Sequence, residues 1–155
     1  MIVPALLIAF ILLSNNKKGL GALSVSKFYK VYIDEKINKQ LRLKPTGNQK
    51  GVYILKKNNE IVYIGFSGSN LYKTITRHFQ SWEDKRQIRV TYSKTENIKA
   101  RIVYTSTAAQ AAKLEKALIL KYKPTDNPNK YEQYSLNITD DNLITNYQNE
   151  AEAPF

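Results

Sequence analysis

The chain of 155 residues is long enough for one compact domain with extensions and too short for two of ordinary size. Its 43% hydrophobic and 24% charged residues suit a folded core, and 24 Lys and Arg against 13 Asp and Glu give a net charge of +11, which favours a polyanionic partner, either nucleic acid or an anionic membrane surface. The absence of Cys and a single His exclude disulfides, thiolate catalysis and zinc held by Cys or a His cluster, so a metal here must be held mainly by carboxylate and water, as Mg²⁺ or Mn²⁺ can be.

The charge is unevenly placed: no Lys or Arg follows Lys130, and the last stretch carries Glu132, Asp140, Asp141, Glu150 and Glu152. Residues 1–13 are almost wholly apolar but shorter than the about 20 residues a membrane-spanning helix needs. A buried or partner-packed helix, a membrane-associated anchor and a cleaved leader all stay open for them, and a cytoplasmic location is favoured over a membrane-associated one. From Ser24 to Leu43, Phe28, Val31, Tyr32, Ile37 and Leu41 form an incomplete helical stripe, which predicts a basic, helical extension. Pro45-Thr46-Gly47-Asn48 breaks that pattern, so the expected organisation is an extension over 1–45, a central domain over 46–130 and an acidic tail over 131–155.

Two runs rich in Val, Ile and Tyr, Gly51 to Leu55 and Ile61 to Phe66, flank the polar turn from Lys56 to Glu60 and predict a β-hairpin. The Gly68-Ser69-Asn70 cluster supplies a turn and a candidate cap for a helix with apolar residues at Leu71, Ile75 and Phe79, on which Arg77 and His78 ride. Short strands are expected over Arg89–Tyr92 and Lys99–Thr105, followed by a helix that Thr107 caps, that Ala108, Ala109, Ala111 and Ala112 favour, and that Pro124 ends. Asp126 to Asn129 reads as a turn, and the tail after it as partly ordered at most.

Hydrolysis of a phosphodiester needs a nucleophilic water, neutralisation of phosphate charge and a stabilised leaving oxygen. Glu115, among alanines and leucines, offers a carboxylate for one divalent ion, or else pairs with Lys113 or Lys116. Tyr53 and Tyr63 are either phenols at neighbouring places on one sheet or ordinary strand aromatics, and a free phenol, with a pKa of about 10, is a poor base unless its phenolate is stabilised. Lysines and arginines from Lys56 to Arg101, interleaved with aromatic residues, suggest a phosphate footprint, with Lys57, Lys73, Arg86, Arg89 and Arg101 foremost.

Gly51-Val52-Tyr53, Tyr63-Ile64-Gly65, a helix with Arg77 and His78, and a later Glu115 helix followed by Pro124 and Asn127 stand in one order. Together they resemble the GIY-YIG endonuclease family over roughly residues 50–128. The resemblance implies an α/β (α+β) fold: a small, mostly antiparallel three-stranded sheet flanked by helices. It implies a metal-dependent endonuclease acting on DNA, with Mg²⁺ or Mn²⁺ as one ion on Glu115; net charge alone does not separate DNA from RNA. Tyr53 would activate water with His78 assisting, Tyr63 would position water or phosphate, and Asn127 would contact phosphate or brace the site. The family's arginine commonly stands about nine residues after the second motif glycine, where this chain has Lys73-Thr74. Arg77 lies on the same helix face as Thr74 and is expected to reach that phosphate, with Lys73 as the competing ligand. The rival reading is a module that kept the fold and binds nucleic acid without cutting it.

Overall fold

The computed structural model describes residues 24–80 and 90–136. Its centre is the hairpin of β5 (Lys50–Lys57) and β6 (Glu60–Ser67), with β7 (Ile98–Thr105) on the other side of β5, all antiparallel. Asn58 and Asn59 close the hairpin at φ 49° and 64°, the left-handed region that Asn tolerates better than most residues. Gly51 is required by close approach, because a Cβ there would land on the Val103 carbonyl oxygen. Two short strands, β1 (Ser24–Val25) and β2 (Tyr29–Lys30), pair with the outer edge of β7, so the order is β1-β7-β5-β6 with β2 beside β1. The three long strands are the expected three-stranded sheet, extended at one edge.

Alternation along β5 sends Val52 and Ile54 to one face and Tyr53 and Leu55 to the other, and both faces are buried. On the first face, Ile64 and Val103 join Ala111, Leu114, Leu118 and Ile119 of α2 (Ala108–Tyr122). On the second, Ala100 and Ile102 join Leu71 and Ile75 of α1 (Leu71–Thr76) and Phe79 of the following 3₁₀ turn, Arg77–Phe79. The helix starts have local causes. Asn70 accepts a hydrogen bond from the Lys73 amide, and Thr107 forms a capping box with Gln110. At the other end of α2, Lys123 adopts φ 46° and caps it just before Pro124.

Three expectations are corrected. Ser24–Leu43 is not a helix: besides β1 and β2 it forms the small hairpin β3 (Tyr32–Ile33) and β4 (Lys36–Ile37) and a 3₁₀ turn at Lys39–Leu41. Asp34 and Glu35, at φ 48° and 60°, interrupt the apolar stripe and supply the turn instead. Val31 and Leu41 are fully buried in the same core as Tyr53, and the Tyr104 hydroxyl donates to the Leu41 carbonyl, so this segment shares the hairpin's core. Second, residues 90–92 run as irregular chain rather than strand, held by the Tyr92 amide donating to the His78 carbonyl; Arg89 lies outside the described residues. Third, the turn expected after Asp126 opens a helix, α3 (Pro128–Leu136), with Pro128 at its first position, where a missing N–H costs nothing. Residues 1–13 and the tail after Leu136 lie outside the described residues, among which no helix is long and apolar enough to cross a membrane.

Candidate active site

In the sheet register Tyr53 faces Gly65 and Leu55 faces Tyr63, so the two phenols are diagonal neighbours on one face. Their rings lie 6.1 Å apart at 17°. Tyr53 reaches across Gly65: a Cβ at position 65 would collide with the phenol oxygen and ring, which is why the motif needs glycine there. Beyond Tyr63 the register shifts, pairing Lys56 with Ile61 and leaving Val62 as an extra residue. Val62 and Tyr63 therefore both turn toward the Tyr53 core, while Ile61 and Ile64 pack on the other side.

His78, 6% exposed, closes the tyrosine pair from the 3₁₀ turn after α1. The Tyr53 hydroxyl lies 2.7 Å from His78 Nε2, and His78 Nδ1 lies 2.8 Å from the Val90 carbonyl oxygen. A carbonyl only accepts, so Nδ1 carries the hydrogen and, in the neutral ring, Nε2 accepts from the Tyr53 O–H. The Tyr63 ring packs edge-on against the imidazole at 4.6 Å. Three aromatic groups thus form a preorganised, largely dry cluster in which one phenol proton has a defined acceptor.

The chain leaving α2 grips the free edge of β6 on either side of Tyr63. The Asp126 amide donates to the Val62 carbonyl at 2.8 Å, and the buried Asn127 side-chain amide donates to the Ile64 carbonyl, also at 2.8 Å. Asn127 thereby braces the strand that carries Tyr63, and its Oδ1 is buried with no hydrogen-bond partner among the described residues. The Asp126 carboxylate accepts from the Tyr92 hydroxyl at 2.6 Å. Burial, and then this bond, push the Tyr92 phenol well above its ordinary pKa.

Among the described residues Glu115 is the only charged one that is fully buried, with its side chain 1% exposed on α2. Neither Lys113 nor Lys116 is its partner; the Lys130 ammonium contacts one carboxylate oxygen and the Tyr134 hydroxyl donates to the other at 2.8 Å, both from α3. Burial, and then this bond, raise the Tyr134 phenol, and Tyr63 is close enough to add to the shift. Tyr134 and Lys130 together tie the α2 carboxylate to α3. Among the described residues no group of three or more His, Cys, Asp or Glu gathers to hold a metal.

The basic residues divide. Arg77 is half-buried on the turn that carries His78, and Lys73 is exposed one helical turn earlier. Lys57 pairs with Glu96 at the hairpin end; the hydrogen bond between them raises the lysine and lowers the carboxylate. Arg101 is on the α2 face of the sheet, away from Tyr53; its Nε donates to the Ser26 carbonyl, its guanidinium lies 4.3 Å from the Phe28 ring centroid, and burial lowers its pKa. Arg86 and Arg89 lie outside the described residues. Sequence reading missed the roles of Tyr92, Asp126, Lys130 and Tyr134. The i, i+4 spacing of Lys130 and Tyr134 after Asn127-Pro128, an N-cap residue followed by proline, was the available signal for the last two.

The hairpin with its two tyrosines, the turn that carries His78 and the helix that carries Glu115 make up one small α/β domain around an antiparallel sheet. The chain belongs to the GIY-YIG family: a UvrC-like GIY-YIG domain matches residues 49–127, just over half of its length. Among similar proteins, the UvrABC system protein C of Fervidobacterium nodosum is 35% identical over 80 residues, covering 52% of this chain and 13% of that protein. The UvrABC system protein C of Fusobacterium nucleatum is 32% identical over 77 residues, covering 50% of this chain and again 13% of the relative. The likeness is thus to a small part of each relative. No solved structure matches the chain.

Proposed function

We propose that this chain is a metal-dependent endonuclease that hydrolyses DNA phosphodiester bonds, with Tyr53 as the base that activates water. The observation that carries this reading is the ordered pair of contacts from Tyr53 to His78 Nε2 and from His78 Nδ1 to the Val90 carbonyl. As water attacks phosphorus, its proton passes to the Tyr53 oxygen while the Tyr53 proton passes to Nε2, leaving an imidazolium whose second N–H is already bonded to Val90. The phenol never has to exist as a free phenolate, which answers the objection that tyrosine is a weak base at neutral pH. Tyr63 positions the water or the phosphate, and Arg77 and Lys73 offer positive charge to the phosphate from the adjoining turn and helix.

Glu115 would hold one Mg²⁺ or Mn²⁺, the remaining positions being taken by water and phosphate. Its hard oxygen donor suits such an ion, which would displace the Lys130 ammonium and the Tyr134 hydroxyl from the two carboxylate oxygens they occupy. A bound divalent ion polarises the phosphate and offsets charge on the leaving oxygen. Lys73, where the family commonly has arginine, favours the rival non-cutting module, so both are put to one test. Purified full-length protein is incubated with supercoiled plasmid in Mg²⁺, Mn²⁺ or EDTA. Metal-dependent nicking that Glu115→Gln and Tyr53→Phe abolish, with DNA binding retained, is expected. DNA binding without nicking in either metal across pH 6 to 10 would leave the binding module.

A further inference from the structure

Three lysines stand side by side across three strands. Lys30 of β2 and Lys56 of β5 are both register partners of Lys99 in β7. Side chains directly opposed in antiparallel strands have Cβ atoms about 5 Å apart, and like charges there are destabilising, so Lys99 meets unfavourable neighbours on both sides. Among the described residues none of the three pairs with a carboxylate; the pair nearest in sequence joins Lys57 to Glu96. Arg101 adds a fourth cation two residues along β7. The Phe28 ring supports it and Lys56, at 4.3 and 4.8 Å from the ring centroid.

Arg101 is opposite Ile54, whose side chain belongs to the α2 core, and Lys99 lies two residues away on the same face. The row is therefore on the face turned away from Tyr53, toward the hairpin end. There Lys56 and Lys99 line an open depression of about 380 Å³ with Asn58, Asn59 and Asn97. Amides surround the ammonium groups where acidic residues would have neutralised them. With strands about 4.8 Å apart the row spans about 10 Å, which corresponds to roughly three phosphates at about 3.4 Å per nucleotide along one strand. Asn and Lys line the depression without a large apolar side chain of the kind that enters a bilayer.

We propose that the Lys30, Lys99 and Lys56 row, with Asn58, Asn59 and Asn97 around it, binds the phosphodiester backbone of a nucleic-acid strand on the face opposite the tyrosine cluster. The contact rests on the proposed function only in taking nucleic acid as the partner, and it does not require cleavage. Polyanion binding relieves a repulsion that the folded sheet otherwise carries.

The test is fluorescence anisotropy of the full chain with a labelled 30-base-pair duplex and its single strand, in EDTA, over a series of KCl concentrations. For the K30Q/K56Q/K99Q variant the affinity is expected to fall at least tenfold near 100 mM salt. The slope of log K against log salt should become shallower by about 2 to 3, from roughly 0.9 per duplex contact or 0.7 per single-strand contact. A control with equal charge loss at exposed Lys36, Lys39 and Lys44 should keep the slope, and an equal fall there would reduce the effect to bulk charge and overturn the proposal. Melting guards against misfolding: at low salt the row variant should melt at or above the wild-type temperature, and Lys99→Gln alone serves if the triple variant does not fold. An unchanged slope in the folded row variant overturns the proposal and leaves the nuclease reading intact. Loss of flotation on phosphatidylserine vesicles with oligonucleotide binding unchanged would assign the row to a membrane and also overturn it. Lost binding in the row variant beside a wild type that never nicks plasmid supports the row and removes the nuclease.

Discussion

The two sides of the sheet solve different problems. On the Tyr53 side, the hydrogen-bonded series from Tyr53 through His78 to the Val90 carbonyl is built from residues within the matched stretch. On the α2 side, Glu115 lies inside that stretch, but both groups holding its carboxylate, Lys130 and Tyr134, come from α3 beyond it. Those contacts of Tyr53 and His78 stay within the matched stretch, although Val31 and Leu41 enter the same core from outside it, whereas the contacts of Glu115 depend on a helix beyond it. The regions meet at the β6 edge, where Asp126 and Asn127 clasp the strand around Tyr63.

The comparison breaks most completely at its charged end. Glu115→Gln is expected to lower the plasmid-nicking rate about a thousandfold or more, since metal polarisation contributes several kcal/mol and each 1.4 kcal/mol is about tenfold. The fold should survive, because the Lys130 side chain is 37% exposed and can turn to water. A variant that nicks normally would remove Glu115 from the chemistry. Tyr53→Phe tests the other side, with a loss of roughly 10²- to 10⁴-fold expected for a general base. Tyr53→Phe and His78→Ala act on one proton path, so the double variant should be no slower than the worse single one. Multiplying losses would show two independent roles. Tyr53→Phe should also cost about 1–3 kcal/mol in urea unfolding, because it removes the hydroxyl donor from buried Nε2.

Smaller changes sharpen the contrast. Gly65→Ala places a methyl group where the Tyr53 phenol lies, so a loss of about a hundredfold in rate with about 1–3 kcal/mol of stability is expected. Binding of Mn²⁺ by calorimetry should change little, because the added methyl group meets the two tyrosine rings and not the α2 carboxylate; weaker metal binding would show that the two regions are coupled. Lys130→Met removes the ammonium competing for Glu115. A partly exposed pair is worth about 0.2–1 kcal/mol, so Mn²⁺ affinity should rise no more than about fivefold. A fall instead would make Lys130 a support for the metal site.

Legibility in the sequence divides along the same line. Val52 to Leu55 and Ile61 to Phe66 announce a hairpin because β-branched and aromatic residues flank a polar turn, and Asn70 and Thr107 announce helix starts because their side chains satisfy local amides. Tyr53 and Tyr63 on one face followed from period two together with the motif. The extra residue Val62, which turns to the Tyr53 core while Ile61 turns to the other, left no signal, since a bulge depends on the partner strand. Ser24 to Ile37 forms strands of two residues, too short to show alternation, and β1 and β2 find their partner in the distant β7, Ser24 opposite Tyr104 and Tyr29 opposite Ala100. Contacts such as Tyr92 with Asp126 and Lys130 with Glu115 exist only once α2 has brought its end back to β6.

The smallest expected effect concerns a feature that the two sides share. Each has a tyrosine donating to a carboxylate, Tyr92 to Asp126 and Tyr134 to Glu115, and burial together with that bond raises both phenols. A raised phenol binds its proton more tightly when folded, so its contribution to stability is complete below the unfolded pKa of about 10. It is lost as pH rises from there through the folded value. Thermal melting should therefore show no pH dependence from either group between pH 6 and 9, where both contributions are complete, and a decline above about pH 10 that Tyr92→Phe and Tyr134→Phe each make shallower. Titration of nicking between pH 6 and 9 then belongs to neither phenol, and should be abolished by His78→Ala if the Tyr53 side governs it. If Tyr134→Phe moves that titration and His78→Ala does not, proton control lies on the Glu115 side and the division between the two regions has to be redrawn.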